Sequence, residues 1–502
     1  MSPLELSVLV GYAFLLLVLS AFGMHRYAMT FLYYRHKYKL AAPAGRFAEL
    51  PRVTVQLPIF NELYVVDRLL DAAARLEYPR DRLQIQVLDD STDETRALAR
   101  SRVERLRAEG LDAVYIHRAD RRGFKAGALE NGLRTATGEL VAIFDADFLP
   151  GPDFLRRTVH HFTDPEIGLV QTRWGHLNRG YSALTQAQAV FLDGHFVVEH
   201  AARNRSGRFF NFNGTGGIWR RAAIEAGGGW QHDTITEDLD LSFRAQLRGW
   251  KFRYLPDVVT PAELPVDMNA FKGQQHRWAK GAVQCALKLL GQILRSEAPA
   301  AVKREAVVHL TANLAYLAVV PLAILLPITV AIRSSHGPLE MVLVDLPLFA
   351  AATLSVLTFY VVSQREQGLS WWRTLRLLPL VMALGIGLSV NNARAVVEAL
   401  MGYQTGFVRT PKHGVQGRGE SVARKRYRTA GTLQPLVELA LAAYMTYGIA
   451  WLWERRVYSS IPFLVLFQLG FSYVALVSLW EGLRGRVVRW ARLLSQFPAT
   501  SE

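Results

Sequence analysis

Two clusters in the middle of the chain carry residue types suited to group transfer. The first is Thr236-Glu237-Asp238, two carboxylates at the start of an apparent helix, because Leu239, Leu241, Phe243 and Leu247 recur near helical spacing. A carboxylate at a helix N-terminus accepts backbone N–H bonds and stays ionised near neutral pH. Asp238 is therefore a plausible base for a hydroxyl nucleophile, with Glu237 beside it as partner or helix cap. The second cluster is Gln274-Gln275-His276-Arg277-Trp278. It sets an amide, a fixed cation and a large indole within one or two helical turns. Such a set suits a phosphate and a sugar ring: Arg forks onto the phosphate and Trp offers a flat apolar face. Alone, a Thr-Glu-Asp triplet is far more often a helix start than a base. The Gln-x-x-Arg-Trp set downstream weakens that bland reading.

These residues need a scaffold, and the stretch after Arg52 supplies one. Short β-rich runs at 53–58, 84–88, 113–116 and 140–144 alternate with helical patterns over 62–76, 93–109 and 125–135. The alternation predicts an α/β domain with a mostly parallel sheet and a nucleotide held at strand C-terminal ends. Asp89-Asp90-Ser91 follows the second run and Asp145-Ala146-Asp147 the fourth. Asp is a common turn former, but two such clusters on neighbouring strand ends point to a nucleoside diphosphate and a divalent ion. Hard oxygen ligands suit Mg2+ or Mn2+. No His/Cys group has zinc spacing, and no Gly-x-x-x-x-Gly-Lys-Ser/Thr loop is present.

Half of the 502 residues are hydrophobic and 20% are charged, with mean hydropathy +0.11. A membrane protein with one sizeable soluble domain fits both. The formal charge of +15 could mean nucleic acid, but the basic residues flank apolar runs, so the lipid bilayer is the expected partner and nucleic acid is not. Cys285 is the only cysteine, which excludes an intrachain disulfide. Leu6–Gly23 is an uncharged run of 18 residues, long enough to span, and basic residues follow it rather than precede it. The positive-inside rule then puts the N-terminus outside and the α/β domain in the cytosol. Further spans are expected at 306–332, 346–362, 433–453 and 461–480. Leu377–Val390 has only 14 uncharged residues and reads as interfacial or re-entrant. The expected layout is a membrane helix with its juxtamembrane segment (1–40), a cytosolic catalytic domain with an interface helix (41–298), and a membrane bundle (299–502). The bundle would contain an interfacial segment (371–400) and a basic loop (403–428). Arg outnumbers Lys and Ala is abundant, as expected of a GC-rich bacterial source and hence an inner membrane.

Taken in order, the motifs resemble the membrane-embedded processive β-glycosyltransferases of glycosyltransferase family 2: cellulose synthase and the cellulose synthase-like glucan and mannan synthases. The resemblance rests on Asp90 in Val-Leu-Asp-Asp-Ser-Thr-Asp, Lys125 in Gly-Phe-Lys-Ala-Gly-Ala-Leu, Asp145-Ala-Asp147-Phe and Phe212-Asn213-Gly214-Thr215-Gly216-Gly217. It continues through Thr236-Glu237-Asp238, Gln274-x-x-Arg277-Trp278 and Phe407-Val-Arg-Thr410-Pro-Lys412, which is similar to the family's gating loop with Arg409 where Val is usual. The wording is similar to that of plant mannan- and xyloglucan-backbone synthases. Two departures stand out: a single spanning helix before the catalytic domain, and too short a tail for a cyclic-di-GMP-binding barrel.

The resemblance implies a GT-A, Rossmann-like mixed sheet and an inverting, metal-dependent transfer of a hexosyl unit from a nucleotide sugar. It implies that Asp90 meets base or ribose, and that Lys125, Gln274, Arg277, Thr410 and Lys412 meet the nucleotide sugar. Asp145 and Asp147 would hold Mg2+ or Mn2+, and Asp145 would also touch nucleotide. Asp238 would deprotonate the acceptor, while Trp278, Asn213, Gly214 and Thr215 would bind it. UDP-glucose is favoured slightly over GDP-mannose, and the acceptor is expected to be the non-reducing end of a growing polysaccharide, exported as it grows. Partners in that export stay open. The alternative is a glycolipid synthase that glycosylates diacylglycerol, ceramide or a polyprenyl phosphate once, without need of a gating loop. A transporter would show internal repeats, and none is visible. His176, His195 and His200 receive no role.

Overall fold

A computed structural model describes residues 2–40, 42–334, 338–404, 406, 409–420, 422, 425 and 433–494, giving only the course of the chain for 338–350, 352 and 485–494. Phe407 and the basic positions 424, 426 and 428 lie outside the described residues.

The catalytic core is a seven-stranded mixed sheet in the order β3-β2-β1-β4-β6-β5-β7. Its strands are β1 (Val53–Ile59), β2 (Leu83–Asp89), β3 (Asp112–His117), β4 (Leu140–Ile143), β5 (Ile167–His176), β6 (Gly217–Arg220) and β7 (Lys251–Ala262). Strands β1 to β4 run parallel, joined by the helices Val66–Ala74, Thr95–Ala108 and Phe124–Leu133. Crossover helices cover both faces of such a sheet, so β1, β2 and β4 are buried along almost their whole length, while the edge strand β3 is only partly buried. In β1, Val53, Val55 and Leu57 are fully buried on one face. On the other face Thr54 and Gln56 are equally buried. They bond across to Gln84 and Gln86 of β2 at 3.0 Å each, so these polar groups lie in the core with partners.

Strand β6 turns the sheet antiparallel against both β4 and β5. Two sequence expectations change here. The sheet has three strands more than the four-run alternation, and the clusters at Asp90 and Asp145 are not on neighbouring strands, since β1 lies between β2 and β4.

Among the described residues, Pro3–Arg35, Ala300–Ser334, Trp371–Leu400, Gln434–Glu454 and Tyr458–Arg484 are long and apolar enough to cross a membrane. The helix Pro338–Arg365 covers the span expected at 346–362. The segment 371–400, expected to be interfacial or re-entrant, is helical well beyond its uncharged run. The uncharged 14 residues sit inside a longer helical course, Trp371–Gly387 and Ser389–Leu400, broken at Leu388. The first part packs on the helix Ala183–Asp193 of the catalytic domain and on the last helix, where Gly387 and Gly470 let the backbones touch. The second part packs along Met268–Arg295, the helix that carries Gln274 to Trp278. There Glu398 pairs with His276 and Lys280, each at 3.1 Å, and the Asn391 amide donates to the Lys272 carbonyl at 2.9 Å.

Polar locks join the first helix and the catalytic domain to the bundle. The Tyr33 hydroxyl and the Lys37 ammonium meet Glu366, and Gln364 donates to Asp193 at 2.8 Å. Glu438 binds Lys272 at 2.6 Å. Glu481 accepts the Met268 and Asn269 backbone N–H groups at 2.7 and 3.0 Å, a carboxylate at a helix N-terminus. The stretch Ala282–Leu294, expected on the membrane surface or on the catalytic domain, takes the second course. Cys285, Ala286, Leu289 and Ile293 bury against Leu239 and Phe243.

Candidate active site

The C-terminal ends of β1, β2 and β4 open into a cavity of about 230 Å³, lined among others by Asp90, Lys125, Asp145, Asp147, Asp238 and Arg277. At the β2 end, Arg118 forks onto Asp90 at 2.8 and 2.5 Å. Asp89 points the other way and takes the Ser91 N–H and the Tyr115 hydroxyl. Beside them the Arg121 guanidinium lies over the Phe60 ring at 3.3 Å. The sequence reading missed Arg118 and Arg121, since a single Arg in a loop carries no signal of its own.

Lys125 stands in the first turn of Phe124–Leu133. Its ammonium binds Asp145 at 2.5 Å and the Gly214 carbonyl at 2.9 Å. Burial pulls that ammonium down, but Asp145, Glu237 and Asp238 together raise it above its ordinary value. Burial raises the Asp145 carboxyl, with Lys125 opposing. Asp147, 3% exposed, pairs with Lys412 at 2.6 Å. Each carboxylate of the Asp-Ala-Asp motif thus already faces a lysine.

Asp238 lies in the first turn of the helix Glu237–Leu247, as expected, and its Oδ1 accepts the Leu239 N–H at 2.9 Å. Its carboxyl is raised to about 6, which still leaves it mostly ionised near neutral pH. Burial raises both Glu237 and Asp238, and the two repel one another, while Lys125 pulls both down. A buried carboxylate with a raised proton affinity is a better base than one in water. The chain passes close above it at Gly214, whose φ is +82°. A Cβ there would sit 3.1 Å from Asp238 Oδ2 and 3.4 Å from Lys125 Nζ. Gly214→Ala is therefore expected to move the carboxylate and to add about 1–2 kcal/mol of backbone strain. Transfer should fall by roughly 10–100-fold while the melting temperature falls only a few degrees. Wild-type rates in that variant would show the contact to be slack.

Thr215, expected on the acceptor side, lies behind the site instead. Its hydroxyl accepts the Asp145 N–H at 2.8 Å, and its carbonyl takes the Gln171 amide and the Trp174 indole N–H. It braces the Asp145–Asp147 turn from the bend that leads into the antiparallel strand β6, a pairing the sequence could not show.

The loop after residue 408 folds into the cavity. Arg409 pairs with Glu62 at 2.7 Å, and Thr410 accepts from Arg277 at 2.6 Å. Burial raises Glu62 to about 7 despite Arg409, and lowers Arg277 to about 10. Glu263, just past β7, ties the loop down. It accepts the N–H groups of His413, Gly414 and Val415 at 2.8, 2.8 and 3.2 Å and binds Arg68 at 2.9 Å. Glu263 was missed, although a carboxylate at a strand end is the same signal that marked Asp90.

A second, larger cavity of about 610 Å³ runs from this site between the membrane helices. Trp174, Asn213, Asp238, Gln274 and Trp278 line both cavities. Asp238 and the Trp278 indole thus stand at the junction of a polar pocket and a passage into the bundle.

The donor set fits a divalent ion. Asp145 and Asp147 offer hard oxygens on the pocket floor, and among the described residues no group of three His, Cys, Asp or Glu forms a full cage. That is the pattern of an ion held by one or two carboxylates and completed by substrate phosphates.

Residues 51–281 match the family described as "Glycosyltransferase like family 2". A glucomannan 4-beta-mannosyltransferase of Arabidopsis thaliana is 34% identical over 459 residues, covering 85% of this chain and 77% of that protein. Another from the same plant is 43% identical over 296 residues, covering 56% and 55%. A solved mannosyltransferase from Pyrobaculum calidifontis, in complex with GDP-Man and Mn2+, is 25% identical with a TM-score of 0.53, and the match covers 78% of this chain and 99% of that one. Site, sheet, membrane helices and relatives agree: the chain belongs to glycosyltransferase family 2 as a multi-pass integral membrane hexosyltransferase of the processive, cellulose synthase-like type.

Proposed function

We propose that this enzyme transfers mannosyl units from GDP-mannose to the non-reducing end of a β-linked mannan or glucomannan, and feeds the product into the membrane bundle. The observation that carries the reading is the junction at Asp238 and Trp278 between the donor pocket and the larger cavity. A single transfer to a lipid needs no such passage lined by catalytic-domain and membrane helices together. The mannosyltransferase relatives move the donor away from the UDP-glucose favoured by the sequence reading.

Asp238 takes the proton of the acceptor hydroxyl, which attacks the sugar C1 in line, inverting it as the nucleoside diphosphate leaves. Trp278 supports the acceptor's terminal sugar. Lys125 and Arg277 face the diphosphate and offset its growing charge. Asp145 and Asp147 would hold Mg2+ or Mn2+, which when bound supplies further charge neutralisation at the diphosphate. Lys412 and Thr410 close over the donor.

The ends that touch the catalytic domain alternate along the chain: the end of the first helix (Tyr33, whose ring meets Arg205), the start of the second (Glu305), the end of Pro338–Arg365 (Gln364), the start of Gln434–Glu454 (Glu438) and the end of the last (Glu481). This supports five crossings, with 371–400 entering and leaving on one side and the active site in the cytosol. A cysteine at Gln416 should react with impermeant reagents only after cells are opened, and one at Arg455 in intact cells. Cys285 is fully buried and gives a quiet background. Labelling of Gln416→Cys from outside would reverse the topology.

The deciding assay is the detergent-purified chain with labelled GDP-mannose or UDP-glucose and Mn2+ or Mg2+. The expected product is high-molecular-weight material made from GDP-mannose and degraded by β-mannanase. A singly glycosylated lipid as the only product would favour the glycolipid synthase.

A further inference from the structure

Of the three histidines without a role in the sequence reading, His176 ends strand β5 and the other two sit on a helix between the active site and the bundle. These two, His195 and His200, lie in a π-helical turn, Gly194–His200. The wider turn of a π-helix brings positions i, i+4 and i+5 onto one face, and such turns recur at functional sites. Here that face carries His195, Glu199 and His200, with the two imidazole rings 4.3 Å apart.

The hydrogen bonds around Asn213 admit one arrangement. His200 Nε2 lies 3.1 Å from the Asn211 carbonyl, which can only accept, so this nitrogen carries a proton. The same N–H lies 2.8 Å from an amide atom of Asn213, which must then be Oδ1. Asn211 Nδ2 donates to that oxygen too, at 3.0 Å. Asn213 Nδ2 therefore faces His195, at 3.0 Å from Nε2, which must offer a lone pair. The proton of His195 is left on Nδ1, where Glu199 accepts it at 3.0 Å. Burial keeps His200 neutral, driving its imidazole well below its ordinary value. Glu199 is held in turn by Arg203 at 3.4 Å, and Arg203 by Glu305, which also meets His25 of the first helix at 3.0 Å.

We propose that His195, oriented by Glu199, is a positioning residue for the acceptor: it fixes the Asn213 side-chain amide at the junction where the acceptor's terminal sugar meets Asp238. This rests on the reading of that junction as the acceptor site. The geometry gives the reason. Asn213 is the residue before Gly214, which crosses Asp238, and its backbone N–H is already tied to Gln171 at 3.0 Å. His200 and Asn211 hold the oxygen of the side-chain amide, and His195 holds its nitrogen. Without the Nε2 lone pair the amide is tied at its oxygen alone, and the Nδ2–H group loses its acceptor and is free to tilt. That N–H would then be misaimed toward a sugar hydroxyl, with no change at the donor side, where Asp90, Lys125 and Asp147 have other partners.

The test uses the detergent-purified full chain, GDP-mannose and a manno-oligosaccharide. His195→Ala should raise the acceptor KM on the order of ten-fold, with the donor KM within about two-fold of wild type. Gln places an amide oxygen near the Nε2 position and can accept from Asn213, so His195→Gln should recover most of the loss. Asn reaches only the Nδ1 position, so His195→Asn should not. Retained GDP-mannose binding shows that each variant is folded, and the Gln and Asn pair decides the matter if Ala is unstable. Equal effects on donor and acceptor KM, or equal behaviour of the Gln and Asn variants, would overturn the positioning role. Failure of the wild-type chain to elongate the oligosaccharide overturns the acceptor reading itself, and this inference with it.

Discussion

Asp238→Asn is expected to lower transfer by about 10²–10⁴-fold, the usual cost of removing a general base, while donor affinity stays near wild type. The amide keeps the size of the carboxylate and can still accept the Leu239 N–H, so the helix start should persist. What it loses is proton acceptance. The wild-type pH profile should carry the same signature. The base works only when deprotonated, and burial raises its carboxyl. Activity, measured as kcat/KM, should therefore fall on acidification well above the pH of about 3.9 at which an ordinary aspartate protonates, and Glu237 should widen that fall because the two carboxyls titrate together. Turnover within a few-fold of wild type in Asp238→Asn, measured by nucleoside diphosphate release, would remove Asp238 from the role.

Asp147→Ala, or chelation of the wild-type enzyme, is expected to reduce transfer by roughly 10²–10⁴-fold, since a metal at a phosphoryl oxygen is worth several kcal/mol. Asp147 also holds Lys412 at 2.6 Å, so its loss frees that lysine from the pocket floor. The two effects separate by titration. If the carboxylate serves a metal, excess Mn2+ should restore chelated wild type fully and the variant poorly. If it serves only as the partner of Lys412, chelation should leave wild type unharmed. Full activity in excess EDTA would exclude a metal role for Asp145 and Asp147 alike.

Parts of this site were legible because their signals are local. Strands β1 to β4 alternate with helices at short range, and Asp90 and Asp145 stand just past the strand ends, so sequence order alone nearly places them. The helix start at Thr236 and the single turn that holds Gln274, Arg277 and Trp278 are local too. The second half of the sheet carried no such signal. Strand β6 has four residues, too few for a period to show, and the register of β5 on β7 slips where Pro256 and Asp257 interrupt the strand. Yet β6 is what puts β4 beside the Asn213–Gly216 turn, so Thr215 braces Asp145 and Gly214 crosses Asp238.

The sequence by itself determined the chemistry: which carboxylates, which cations and which indole are available, and that apolar runs flank them. Tertiary structure decided their partners. A charge buried far from water must find a partner wherever the fold provides one, and those partners lie far away in the chain. Lys412 reaches Asp147, Arg409 reaches Glu62, Glu263 holds the loop behind them, and Glu305 joins Arg203 to His25. Spacing encodes none of these pairs, because each is fixed by the desolvation of two groups that only the folded chain brings together.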